Sequence, residues 1–270
     1  MKKTKIRIIT AFPVNEQNPT RTIDDIIHLE SDSIELSISY NQCGAEYFNS
    51  DVEQFLSIGG VALEAQKAEK EGIDAVVIES GGDTGIEACR ELVKIPVIGL
   101  SDVAFRVAGM LGRKFGLITA DDWQGYATER VIHKYGLANK YCGEFKSIKS
   151  LPFWVDGEKN TSVLDKAYQA ATVIIEKYNI DTIVFSGSYF FGFSEKLKDL
   201  LFKNGVGDIV IIEQMPLAIN FAEAIVKSKL LHSKKIYASP KIQTNIHGYL
   251  NIHETPLSVV NDKSDVDKQI

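Results

Sequence analysis

The sequence predicts an α/β protein built as two pseudo-symmetric lobes, each a mostly parallel sheet flanked by helices, with a cleft between them. An apolar run at 75–78 is bounded by glycines and followed by a loop and a helix, which is typical of a buried parallel strand. The same unit recurs from Asp181, at an offset of 107 residues from Asp74. Any α/β protein contains such units, but both copies continue with a second strand and helix, and this shared order favours a repeat.

Apolar periodicity and turn residues place the remaining elements in chain order. Strands are predicted at residues 5–10, 33–40, 75–78, 95–100, 113–120, from 181 and at 209–213, with 145–154 either a strand or irregular. Helices are predicted at residues 22–28, 51–70, 86–93, 103–111, 128–135, 161–178, 194–201 and 217–226.

Several residues are expected to start, bend or end these helices. Thr22 with Asp25 resembles a capping box at the first helix. Asp83 or Thr84 is expected to cap the helix at 86–93, because a short side-chain oxygen accepts from its unpaired first-turn amides. The glycine pair at 59–60 is a candidate kink in the helix at 51–70.

The expected division of the chain follows the repeat. Residues 1–112 and 214–240 are assigned to the first lobe, 113–213 to the second, and 241–270 to a polar C-terminal tail with little periodicity.

Composition restricts the class of partner. The chain has 270 residues, 44% of them hydrophobic and 24% charged, and a net charge of −6. This predicts a soluble protein with no affinity for nucleic acid or anionic membranes. Its basic N-terminus has no signal-peptide pattern. Three widely spaced cysteines, Cys43, Cys89 and Cys142, indicate reduced thiols in a cytoplasm rather than disulfides.

The carboxyl ends of the repeated strands are the expected binding site, since open α/β sheets bind ligands there. Ser80, Gly81 and Gly82 are interpreted as a backbone cradle for an oxyanion or carboxylate, in preference to a purely structural turn. Gly187 and Ser188 would form the mirror cradle in the second lobe.

Carboxylates near these loops have two interpretations each. Glu79 is either a base with a raised pKa or one half of an internal ion pair, because a buried carboxylate is costly unless paired. Glu213 is either an acid of the second lobe or a group that packs a loop. Asp83 is interpreted as a helix cap in preference to a catalyst.

Five segments together resemble the aspartate/glutamate/hydantoin racemase superfamily, its hydantoin-racemase-like branch in particular. They are residues 75–85, 95–99, 112–119, 181–190 and 232–237, within a resemblance covering most of 5–240. The resemblance implies an active site between two lobes and cofactor-free removal and return of a proton at a carbon α to a carbonyl. A cysteine at the end of each equivalent strand performs this chemistry in the family, and a related branch decarboxylates malonates with one cysteine.

This chain departs from that pattern at both cysteine positions, which match Ser80 and Gly187. A thiol exchanges protons near neutrality because its pKa is about 8.5, whereas a serine hydroxyl needs a neighbouring base. The two-thiol mechanism is therefore not expected. Hydroxyls replace thiols in the second lobe, at Ser186, Ser188 and Tyr189.

The resemblance also implies that Asn15, Tyr47 and Thr119 position the substrate, with ordinary end-of-strand hydrogen bonding as the alternative. The expected activity is a cofactor-independent reaction at a carbon α to a carbonyl or carboxylate of a small amino-acid-derived or hydantoin-like substrate. Racemisation, decarboxylation or another lyase reaction, and binding of a small anion without catalysis remain alternatives. Glu79, Ser80, Ser188 and Glu213 are the candidate catalytic residues; no metal is expected, and the protein is expected to be a homo-oligomer.

Overall fold

A computed structural model describes residues 2–14, 21–149, 161–187 and 190–240. The predicted site residues Asn15, Ser188 and Tyr189 and the predicted tail at 241–270 lie outside the described residues.

Two four-stranded parallel sheets form the centre of the protein, and this confirms the predicted fold class. The first contains β1 (Thr4–Thr10), β2 (Ile34–Tyr40), β3 (Ala75–Glu79) and β4 (Val97–Gly99), in the order β2-β1-β3-β4. The second contains β5 (Phe115–Thr119), β6 (Tyr141–Ser147), β7 (Thr182–Phe185) and β8 (Val210–Ile212), in the order β6-β5-β7-β8. The identical order in both sheets is the structural counterpart of the repeat in the sequence.

Seven α-helices flank these sheets within the described residues. They are α1 (Asp51–Lys70), α2 (Ile86–Leu92), α3 (Leu100–Leu111), α4 (Asp122–Lys134), α5 (Thr161–Tyr178), α6 (Ser194–Lys203) and α7 (Gln214–Lys227). The central strands β3 and β7 are fully buried because helices cover both faces of each sheet, which is why their sequences are continuous apolar runs.

Two helices join the lobes by packing away from the sheet that precedes them. Helix α3 follows β4, yet its Phe105 stacks on Phe115 of the second sheet with ring centroids 5.5 Å apart. Helix α7 follows β8, but its buried residues pack with the core of the first sheet: Met215, Ala218, Ile219 and Ala222. Helix α3 therefore contributes to both cores. The boundaries of 1–112 plus 214–240 and 113–213 stay a prediction.

Two local predictions need correction. The helix predicted at 22–28 is instead a series of turns ending in a short 3-10 helix, Ile27–Leu29. Asp25 does accept from the Thr22 amide at 2.6 Å. A segment this short, however, forms too few hydrogen bonds to offset the free-energy cost of helix nucleation. Strand β6 begins at Tyr141 rather than 145, because Gly143, with φ of +90°, lies at a register shift that interrupts the alternation.

Helix α1 has the predicted bounds but not a uniformly buried apolar face. Val52, Phe55 and Leu56 are exposed, whereas Val61 and the residues after it are buried. The helix is continuous through the glycine pair. Gly60 is required for packing, since a Cβ there would lie 1.7 Å from Asn41 Oδ1.

Candidate active site between the two sheets

The glycine loops that follow β3 and β7 meet at the junction of the lobes. A Cβ at Gly81 would lie 2.9 Å from the Gly187 nitrogen and 2.9 Å from Ser186 Oγ. Gly187 has φ of +79°, a conformation that L side chains rarely adopt. Glycine in both loops thus allows the backbones at the ends of the two equivalent strands to come into contact.

Ser80 is held by hydrogen bonds within the first loop, and Thr84 of that loop is bonded in turn to α1. Its Oγ lies 2.8 Å from Thr84 Oγ1 and accepts from the Gly82 amide at 3.3 Å. Gln54 Nε2 of α1 donates to Thr84 Oγ1 at 3.1 Å. The Gly81 amide has no hydrogen-bond acceptor among the described residues.

The predicted cap of α2 was wrong: neither Asp83 nor Thr84 caps that helix, whose N-cap is Gly85. Asp83 instead caps α3, where its carboxylate accepts from the amides of Ser101 at 3.0 Å and Asp102 at 2.8 Å. Gly99 leaves the space for this carboxylate, because a Cβ at Gly99 would lie 2.5 Å from it.

Asp83 also links the lobes, since Tyr135 at the end of α4 donates its hydroxyl to Asp83 Oδ2 at 2.7 Å. Burial raises the pKa of Asp83 to about 7, although the hydrogen bonds from Tyr135 and the α3 amides oppose this increase. The carboxyl group therefore titrates near neutral pH while it is enclosed between the lobes.

Glu79 forms an internal ion pair. Arg21 Nε lies 2.6 Å from Glu79 Oε1, and both side chains are buried. The second oxygen, Glu79 Oε2, has no hydrogen-bond partner among the described residues. Arg21 in turn lies over the ring of Phe191 from the second lobe, 4.7 Å from its centroid. This geometry favours the ion-pair interpretation over a base. Arg21 was missed because nothing in its local sequence indicates a partner 58 residues away.

Glu213 packs the loop that precedes α6. It accepts from the Gly192 amide at 2.5 Å and from the hydroxyl of Ser194, the first residue of that helix. At the end of the second sheet it also lies near Phe185, Gly187, Phe190, Phe191, Gln214 and Met215, around a gap too small to hold a water molecule. These contacts match the interpretation of Glu213 as a group that packs a loop. The side chain is nevertheless only half-buried.

Thr119 and Tyr47 both contact Asp121, at the start of α4. Thr119 Oγ1 donates to the Asp121 carbonyl at 2.9 Å, and Thr10 makes the same bond to the Phe12 carbonyl at the end of β1. This repetition favours end-of-strand hydrogen bonding for Thr119. Tyr47 from the first lobe donates to Asp121 Oδ2 at 2.6 Å, so it connects the two lobes at the edge of the candidate site.

A buried chain of hydrogen bonds ties the two glycine loops together. The Gly187 amide donates to Gln214 Oε1 at 2.8 Å, and Gln214 Nε2 donates to Ser101 Oγ at 3.2 Å. Ser101 Oγ donates to the Gly81 carbonyl at 2.7 Å. The amide expected to serve the mirror cradle is thus occupied by Gln214. Gln54, Ser101 and Gln214 were not predicted as site residues, because they belong to no recognisable motif.

The cysteines lie in other elements. Cys89, the nearest of them in sequence to Ser80, is fully buried in α2, and burial raises the pKa of its thiol to about 12. Cys142 is buried in β6, and Cys43 is half-buried after β2.

In the described part of the chain, no three His, Cys, Asp or Glu side chains are grouped to hold a metal ion. None of the described helices has the length and hydropathy that a membrane span requires.

Solved structures that share this fold include an allantoin racemase and an arylmalonate decarboxylase. Allantoin racemase from Klebsiella pneumoniae superposes with a TM-score of 0.81 at 19% identity, covering 94% of this chain and 100% of that chain. Unliganded arylmalonate decarboxylase superposes with a TM-score of 0.55 at 16% identity, covering 82% and 92%.

The sequence places the protein within that fold more narrowly. A profile of the Asp/Glu/Hydantoin racemase family matches residues 19–222, so the chain belongs to this family. The hydantoin racemase of Pseudomonas sp. (strain NS671) is 28% identical over 201 residues, which cover 73% of this chain and 77% of that protein. These findings confirm the resemblance seen in the sequence and the prediction of an enzyme of racemase type.

Proposed function

We propose that this protein is a cofactor-independent racemase or isomerase that acts at a carbon α to a carbonyl or carboxylate of a small, amino-acid-derived or hydantoin-like substrate. The observation that carries the proposal is the approach of the Ser80–Gly82 loop to Gly187, from the ends of equivalent strands in two lobes. The substrate would bind beside this contact, at the carboxyl ends of both sheets.

Removal of a proton α to a carbonyl leaves negative charge on the carbonyl oxygen, and the site must stabilise that charge. The first loop offers the Ser80 hydroxyl and the Gly81 amide, which has no acceptor among the described residues. Preorganised donors of this kind in an enclosed site stabilise a developing oxyanion far better than water does. Gly82 contributes by allowing the close packing of Gln54.

The proton itself needs a base. Of the two predicted carboxylates, Glu213 is the better candidate, because its side chain is half-buried and lies near Gly187. Glu79 is already ion-paired with Arg21. Ser80 has hydroxyls and amides as its neighbours in the described chain and no base within hydrogen-bonding distance.

The names of the relatives support the substrate class. Hydantoin and allantoin both carry a ring C–H next to a carbonyl, whose proton can be removed to give an enolate. A site built from amides and hydroxyls is suited to the neutral ring and to the enolate that forms from it. The roles of Tyr47, Thr119, Asn15, Ser188 and Tyr189 in holding this ring are part of the proposal.

Deuterium exchange tests the proposal directly. A single enantiomer of a 5-substituted hydantoin, and separately of allantoin, is incubated with the protein in heavy water. We expect loss of the C5–H signal by proton NMR beyond the uncatalysed rate, with loss of optical rotation in the same sample. A Ser80→Ala variant should slow exchange by about 10²–10³, the usual effect of losing one oxyanion donor. No exchange above background with either compound would contradict the proposal.

A lyase such as a decarboxylase is the second candidate, and one contact favours it. The Gly187 amide is occupied by Gln214, whereas the Gly81 amide of the first loop has no acceptor among the described residues. One-sided chemistry needs only one loop, and a decarboxylase shares the fold. Incubation with an arylmalonate distinguishes the two: a lyase releases carbon dioxide and consumes the substrate, whereas a racemase leaves its amount unchanged. Binding of either probe without any turnover would instead support a small-anion-binding protein.

A further inference from the structure

A chain of three polar side chains runs from α1 to the first glycine loop. Gln54 Nε2 donates to Thr84 Oγ1, and Thr84 Oγ1 lies 2.8 Å from Ser80 Oγ. The direction of the first bond is fixed, because an amide nitrogen only donates. The direction of the second bond decides where the hydrogen of Ser80 points.

Two hydroxyl hydrogens are available for one hydroxyl–hydroxyl bond, so one hydrogen has no acceptor among the described residues. If Ser80 donated to Thr84, the hydrogen left over would belong to Thr84, which is only 2% exposed. A buried donor without an acceptor costs about 1–3 kcal/mol. If Thr84 donates to Ser80, the free hydrogen belongs to Ser80, which keeps 7% exposure at the loop. The second arrangement is therefore favoured.

We propose that Gln54 and Thr84 are positioning residues that make the Ser80 hydroxyl a hydrogen-bond donor to the carbonyl oxygen of the substrate. Both lone pairs of Ser80 Oγ are then occupied, one by Thr84 and one by the Gly82 amide, so Ser80 does not accept the substrate proton. Successive donation along the chain polarises the Ser80 O–H bond. The inference rests on the proposed function and deepens it, because it separates charge stabilisation at Ser80 from proton removal elsewhere.

The glycine at position 82 is part of this arrangement. A Cβ at Gly82 would lie 2.2 Å from Gln54 Nε2, so any side chain there displaces the amide from Thr84. Gly82→Ala should therefore have the same effect as a change at Gln54, although neither the Ser80 nor the Thr84 side chain is altered.

The decisive variant is Gln54→Glu, which keeps the shape of the side chain and reverses its hydrogen bonding. A carboxylate only accepts hydrogen bonds, so Thr84 would donate to it. Thr84 Oγ1 would then accept a hydrogen bond from the Ser80 hydroxyl. We expect deuterium exchange at C5 of a hydantoin to slow by about 100-fold in kcat at pH 8, with a smaller change in KM. Because a protonated Glu donates again, the rate relative to wild type at the same pH should recover as pH falls toward the ordinary Glu pKa of about 4.3. Thr84→Val should also lose activity, and Thr84→Ser should retain it.

The matched control is Gln66→Glu, which adds the same charge to the same helix about 18 Å away along its axis. It should keep the wild-type rate and pH profile, and thermal melting should show all variants folded. A Gln54→Glu protein with the wild-type rate and pH profile would overturn the inference.

Neutron diffraction of deuterium-exchanged crystals gives a readout that does not depend on activity. The deuterium of Thr84 should lie between the two hydroxyl oxygens, and in Gln54→Glu the deuterium of Ser80 should take that place. A Ser80 deuterium between the oxygens of the wild-type protein would overturn the inference. A wild-type protein with the expected hydrogen order that exchanges no probe would instead overturn the proposed racemase function, and with it the role of this order in catalysis.

Discussion

Ser101 and Gln214 occupy equivalent positions in the two repeats and are hydrogen-bonded to each other. Each lies two residues beyond the end of the fourth strand of its sheet, after β4 and β8, and both side chains are buried. Ser101 also binds the Gly81 carbonyl, and Gln214 binds the Gly187 amide. The pseudo-symmetry thus places a polar bridge between the lobes, formed by Ser101 and Gln214. This bridge connects the two glycine loops and keeps them close together.

Truncating Gln214 should therefore lower both the stability of the protein and the rate of the proposed reaction. Gln214→Ala leaves the buried Gly187 amide without its acceptor, which should lower the free energy of unfolding by about 1–3 kcal/mol in urea titrations. The rate of C5 deuterium exchange should fall as well, because the Gly187 loop loses its anchor. Gln42→Ala, at an exposed glutamine, is the control and should change neither quantity. Equal behaviour of the two variants would contradict a role for the bridge.

The buried pair of Arg21 and Glu79 gives a separate test of what Glu79 does. Arg21→Met leaves a buried carboxylate without its cation, and we expect a loss of about 3–5 kcal/mol in the free energy of unfolding. Adding Glu79→Leu to that variant should recover most of the loss, because no uncompensated charge remains. The double variant should also retain deuterium exchange within several-fold of wild type. Exchange that is abolished in the folded double variant would contradict a purely structural role for this pair.

The elements of this fold were predictable where local signals are strong. Helices α1 and α5 have the predicted bounds, and the repeated glycine loops identified both strand ends that meet. The contacts that fix the site were not predictable, because they join residues far apart in sequence. The bond between Gln214 and Ser101 spans 113 residues, and no periodicity or motif encodes such a pair.

Asp83 shows the same limit within a single loop. The sequence correctly indicated a capping residue, but the helix that it caps begins at Leu100 and not at Ile86. A short acidic side chain before two successive helices carries no information about which of them it meets. The choice depends on the space that Gly99 leaves, which only the packed structure reveals.

The raised pKa of Asp83 predicts a pH dependence of stability. Its folded-state pKa is about 7 against an ordinary value of 3.8, so the folded protein binds this proton more tightly than the unfolded chain. The resulting stabilisation is fully present below about pH 4 and is lost as pH rises through 7, by on the order of 2–4 kcal/mol. Neighbouring Asp102 favours the neutral form, and the Tyr135 hydroxyl favours the carboxylate.

Asp83→Asn isolates this contribution, because asparagine does not titrate. The difference in unfolding free energy between wild type and Asp83→Asn, measured in urea from pH 4.5 to 7.5, should shift steadily against the wild type as pH rises. Other carboxylates cancel in this difference if their surroundings are unchanged. A difference that stays constant over the range would mean that Asp83 is ionised throughout.

The contact between Gly81 and Gly187 gives the sharpest test that the two lobes meet at the active site. In Gly81→Ala the new Cβ would lie 2.9 Å from a backbone nitrogen, and backbone cannot move aside as a flexible side chain does. The lobes must therefore separate slightly, and we expect deuterium exchange to fall by at least about 100-fold, the effect expected from a displacement of about 1 Å. Gly109→Ala in α3 is the control, since its Cβ would meet side chains and no backbone, Lys140 at 3.4 Å and Leu137 at 3.9 Å. It should stabilise the helix by about 0.5–1 kcal/mol and leave the rate unchanged. A Gly81→Ala protein that is as active as Gly109→Ala would show that the reaction takes place away from this contact.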